Sequence, residues 1–66
     1  MLNLHQAQTA YINQVNNCLD IDRESVTAAA NIELITWARS RGYDEADVWS
    51  ILHDAREMAK NARKGG

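Results

Sequence analysis

The 66-residue chain has no proline, no phenylalanine, one cysteine and three glycines. Without proline, nothing obliges a helix to kink or stop internally. Cys18, alone, cannot close a disulfide within the chain, and with no CxxC or His/Cys cluster there is no set of zinc ligands. A single unpaired thiol fits a reducing compartment. No stretch approaches the ~18 consecutive apolar residues of a membrane span, and the start lacks the basic region and apolar run of a secretory signal. A soluble, cytoplasmic protein without a membrane partner is expected. The largest gap is in charge: residues 1–19, MLNLHQAQTAYINQVNNCL, contain no Asp, Glu, Lys or Arg.

What is present reads as helix. Alanine is frequent, and only Gly42 interrupts the chain before its last two residues. Leu4, Ala7, Tyr11, Val15 and Cys18 recur at helical spacing, with Ile12 and Leu19 widening the stripe, and predict a first helix over 4–19. DIDRES then breaks the pattern, with Asp22 placed to cap a second helix over 23–41. That helix should end at Gly42, in the left-handed conformation that follows many helices, after Arg39 and Arg41. A third helix over 45–63 is predicted, capped by Asp44, with Tyr43 able to staple onto Val48. Residues 64–66 read as a frayed tail. The expectation is one all-α domain, residues 1–66, of three helices. At this size only about 60% of the unfolded surface is buried, so self-association would help it.

The third helix is cleanly divided. Val48, Ile51, Leu52, Ala55, Met58, Ala59 and Ala62 fill an arc of roughly 120°. Asp47, Asp54 and Glu57 lie to one side and Arg56, Lys60 and Arg63 to the other, a seam suited to a two-fold copy of itself. The second helix is apolar over a wider arc, with Ile32 and Ile35 on a second face beside that of Val26, Ala30, Leu34, Trp37 and Ala38. Such a helix is covered on two sides. A homodimer through helices 2 and 3 is expected, with Ile32, Ile35, Val48, Ile51, Leu52, Ala55 and Met58 at its interface.

Catalysis finds no support. His5 and His53 are far apart in sequence, Cys18 sits on an apolar stripe, and adjacent His53 and Asp54 diverge by ~100° on a helix. HExxH, a phosphate-cradling Gly loop and a GxSxG elbow are absent. No enzyme, cofactor or metal site is expected.

In LITWARSRGYDEADVWSILH, Ala38 stands four before Gly42, Tyr43 directly after it, Val48 six after and Ile51 nine after. This frame resembles that of repressor-type helix-turn-helix units over Leu34–His53. The resemblance implies a dimeric DNA-binding regulator, with Arg39, Arg41, Arg56 and Lys60 contacting phosphates. Asp44, Glu45 and Asp47 would open its recognition helix, where carboxylates oppose a phosphate backbone.

Another patch is Trp49, outside the apolar arc and beside His53, Arg56 and Lys60. Trp and Arg are enriched at interface hot spots. The uncharged first helix offers amides, among them Gln6 and Asn13, that can be covered at lower desolvation cost than charges. Partner binding is therefore expected at Trp49, His53, Arg56, Lys60, Gln6 and Asn13. The leading expectation is a small non-enzymatic regulator, an inhibitor or adaptor of the kind phages and mobile elements encode, acting on another protein. DNA binding is the alternative.

Overall fold

The computed structural model describes residues 2–65. Helix α1 (Leu4–Asn16) starts at Asn3, whose Oδ1 accepts the Gln6 N–H at 2.8 Å while Gln6 Oε1 accepts the Asn3 N–H at 3.0 Å. This reciprocal box satisfies two donors that a helix start leaves unpaired. The Gln6 side chain, expected on a partner surface, is thereby committed to the cap. The helix stops three residues short of the expected Leu19. Asn17 leaves helical geometry (φ −105°, ψ 15°), and the Cys18 thiol turns back to donate to the Val15 carbonyl at 3.1 Å. Leu19 falls off the stripe and is 71% exposed.

A single 3-10 turn, Asp20–Asp22, feeds directly into α2 (Arg23–Ser40). Asp22 occupies the cap position but its side chain caps nothing. The turn explains this: it leaves Asp22 in helical geometry (φ −95°, ψ −5°), not in the extended conformation from which a cap side chain reaches the N–H groups ahead of it. At the far end Gly42 takes φ +88°. Its N–H donates to Arg39 O at 3.1 Å and that of Tyr43 to Ala38 O at 3.2 Å, the paired bonds of a Schellman motif. Tyr43, expected to staple onto Val48, has its ring against Trp37, centroids 6.0 Å apart. This is the apolar contact that accompanies such a motif. Asp44 Oδ1 accepts the Asp47 N–H at 2.9 Å and caps α3 (Glu45–Gly65) as expected. The helix runs on through Lys64 and Gly65, which were expected to fray; Gly66 lies outside the described residues.

Two amides of α1 set its direction against α3. Gln8 Nε2 donates to Ile51 O at 3.2 Å, and Asn16 Nδ2 to Ala59 O at 3.1 Å. Both pairs are 43 residues apart, so the helices run parallel over two turns. Across the other face, Leu2, Ala7, Tyr11 and Gln14 line a small pocket together with Ala30, Leu34 and Trp37 of α2. With α1 and α3 parallel and the connections short, α2 runs back between them and the protein is an up-down-up bundle. Three helices make up the fold and no strand occurs among the described residues. The long axis, 33 Å, matches the ~31 Å of a 21-residue helix.

The core consists of Ala7, Tyr11, Val15, Ala30, Leu34, Ala38, Val48, Ile51, Leu52, Ala55 and Ala59, with Ile12, Ile35 and Trp37 packed around it. Five of these eleven are alanine, so the helices approach closely and few atoms fill the space between them.

Candidate functional site

Most of the α3 seam is turned inward. Val48, Ile51, Leu52 and Ala55, expected at a dimer interface, are buried in the chain's own core. Of the same expected set, Ile35 is half-buried against that core, while Met58 is 40% and Ile32 65% exposed. Ile32 belongs to a back face of α2 on which Ser25, Ala28, Ala29 and Thr36 are also exposed. Ile21, 89% exposed, stands just before it. Between Ser25 and Thr36 this back face of α2 carries no charge; Ile21 below it stands between the exposed Asp20 and Asp22, and the exposed Arg39 follows above it. The exposure of Leu19 and Ile21 was missed in the sequence, because DIDRES signalled a turn without showing which side chains it would turn outward.

The second feature is a cleft of about 320 Å3 where α2 and α3 face each other, towards the end away from Gly42. Tyr11 and Val15 form its floor and Thr27 one wall; His53, Arg56, Glu57, Lys60 and Arg63 form the other. Helical spacing explains the wall, since Arg56, Lys60 and Arg63 are three and four residues apart on one face. None of the three makes an ion pair among the described residues. Glu57, expected on the opposite flank with Asp47 and Asp54, lines this cleft with the cations. Of the expected partner residues, the fold brings His53, Arg56 and Lys60 together here. Trp49, 54% exposed, lies one turn earlier on α3 and carries no ring contact among the described residues. Asn13 is exposed on α1, away from the cleft lining.

Tyr11, Thr27 and Arg63 were absent from the expected site. Arg63 was legible from its spacing alone, whereas Tyr11 read only as core. Its ring is buried, but its hydroxyl crosses to α2 and donates to Asn31 Oδ1 at 2.7 Å. Burial pushes the phenol above its ordinary value, and the nearby Arg56 and Arg63 guanidinium groups pull the other way. Tyr11→Phe should cost about 0.5–1.5 kcal/mol in urea denaturation at neutral pH, the net worth of a hydrogen bond. The folded state holds the Tyr11 proton more tightly than the unfolded chain does. Wild-type stability should therefore fall as pH rises through ~10, and the difference from Tyr11→Phe should shrink there.

The four arginine and lysine positions of the DNA-binding alternative are divided. Arg39 pairs with Glu45 at 3.2 Å across the turn, and Arg41 lies 5.9 Å from the Trp37 ring centroid. Arg56 and Lys60 face the cleft at the other end of the molecule. No group of three or more His, Cys, Asp or Glu residues able to hold a metal occurs among the described residues, nor is any described helix long and apolar enough to cross a membrane. Comparison with protein-family models, curated proteins and solved structures finds no match to the chain.

Proposed function

We propose that this protein is a small non-enzymatic regulator that acts by binding another protein, an inhibitor or adaptor that self-associates through α2. The observation that carries the reading is the back face of α2, where Ile32 is 65% exposed among the uncharged Ser25, Ala28, Ala29 and Thr36. A contiguous exposed face without charge is a surface another protein can cover at low desolvation cost. The self-associating face leaves Trp49 and the cationic flank of α3 open to a different partner, where Trp and Arg are favoured anchors.

A DNA-binding dimer is the alternative. The Schellman turn at Gly42 favours it, since the resembled frame needs a tight corner there. Asp44, held at the start of α3 by its cap, counts against it, since a carboxylate there opposes a phosphate backbone.

Sedimentation equilibrium of the wild type and Ile32→Glu tests self-association, and affinity capture from nuclease-treated lysate with wild type and Trp49→Ala tests the partner face. A dimer lost in Ile32→Glu, with one stoichiometric protein lost in Trp49→Ala, is expected. A wild type that stays monomeric and retains only DNA when nuclease is omitted would replace this reading with the alternative.

A further inference from the structure

We infer that the cleft between α2 and α3 is a binding site for a free anion carrying linked phosphoryl groups, of the diphosphate type. The site shares Arg56, Lys60 and Arg63 with the proposed partner face, but it does not rest on that reading, because the anion alone is its ligand.

Its volume, about 320 Å3, falls at the low end of the ~300–1,000 Å3 typical of small-ligand sites. Arg56, Lys60 and Arg63 span ~10 Å of α3. Lys60 is four residues after Arg56 and Arg63 three after Lys60, so all three share one face of α3 and line the same cleft. Like charges three and four residues apart on a helix repel. In a chain of net charge −2 that carries nine carboxylates, none lies within ion-pair reach of these three cations among the described residues. Glu57 is the one carboxylate lining the cleft, against three cations.

The chemistry of the donors selects the ligand. Two guanidinium forks match phosphate oxygens in bidentate fashion, Lys60 adds a mobile point charge, and Thr27 contributes a hydroxyl. A single carboxylate offers one charge and two oxygens, too few for this set. Linked phosphoryl groups present several of each and would relieve the mutual repulsion along α3.

Titration of the full chain with inorganic pyrophosphate, followed by two-dimensional amide NMR, tests the site. Saturable shifts are expected at Tyr11, Thr27, His53 and Arg63. Affinity should drop at least ~10-fold in Arg56→Gln/Arg63→Gln and hold in Arg39→Gln. All three positions are exposed, so the variants should fold, which circular dichroism checks. A nucleoside diphosphate run in parallel separates sources: tighter binding than pyrophosphate, with shifts reaching the Trp49 indole, assigns a nucleotide, and equal binding assigns the phosphoryl groups alone. No saturable shift at millimolar pyrophosphate, or equal affinity in the double variant, would overturn the site. So would binding confined to an oligonucleotide and lost steeply with salt, which would make the cleft a nucleic-acid groove.

Discussion

Leu52→Ala should lower unfolding free energy by about 2–5 kcal/mol, the range for a buried leucine whose cavity is only partly refilled. Leu52 is 4% exposed and sits near the middle of α3's inward arc. The expected loss is large against the whole, because a domain of this length has roughly 3–10 kcal/mol in total. The alanine-rich core sharpens it: five of its eleven residues have no longer side chain with which to swing into a gap. Urea denaturation followed by circular dichroism measures the change. A loss below ~1 kcal/mol would mean that the helices close over the cavity and that the core is softer than described. If Leu52→Ala is unfolded outright, Leu52→Met, which nearly conserves volume, should retain the fold with a loss under ~1.5 kcal/mol.

The converse substitution addresses the same packing from the other side. Ala55 is fully buried in the middle of α3. Ala55→Leu leaves helix propensity almost unchanged, so any loss comes from the atoms forced between the helices. About 1–3 kcal/mol of destabilisation is expected. Ala46→Leu, at an exposed position near the start of α3, is the control and should fall within about 0.5 kcal/mol of the wild type. Equal effects at both positions would show that Ala55 does not set the helix spacing.

How far the sequence revealed this depended on contrast between faces. On α3, Val48, Ile51, Leu52, Ala55 and Ala59 stand apart from the charges around them, and the periodicity identifies the buried arc. Gly42 and Asp44 likewise mark the second turn through local chemistry that needs no tertiary context. On α2 the contrast fails. Ile32 and Leu34 are equally apolar and only two residues apart, yet one is 65% and the other 4% exposed, because the position of α1 decides which face is covered. The end of α1 was illegible for a related reason: Asn16 and Asn17 are neutral markers, and no glycine forces a stop.

The cleft was only half legible. Arg56, Lys60 and Arg63 could be grouped by spacing, but Tyr11 and Thr27 join them only once three helices are packed. The missing charge in α1 has a partly internal explanation. Gln8 and Asn16 lie against α3 and donate to its backbone, where a full charge would have to be desolvated. His5, Asn13, Gln14 and Asn17 remain exposed, so their neutrality is not explained by packing within the chain.

An odd number of passes has a plain topological outcome. Because α1 and α3 run the same way, Leu2 lies near the Gly42 turn while α3 ends at the opposite pole of a body 33 Å long. A short linker cannot join the two ends across that length, so circular permutation would need a bridge of about ten or more extended residues. Fusing one copy's last residue to the next copy's first would instead string the bundles pole to pole, leaving the back face of α2 in every unit facing sideways. A fluorophore or surface anchor is better placed at the Leu2 pole, because Arg63 of the cleft and Ile21 both lie near the pole where α3 ends.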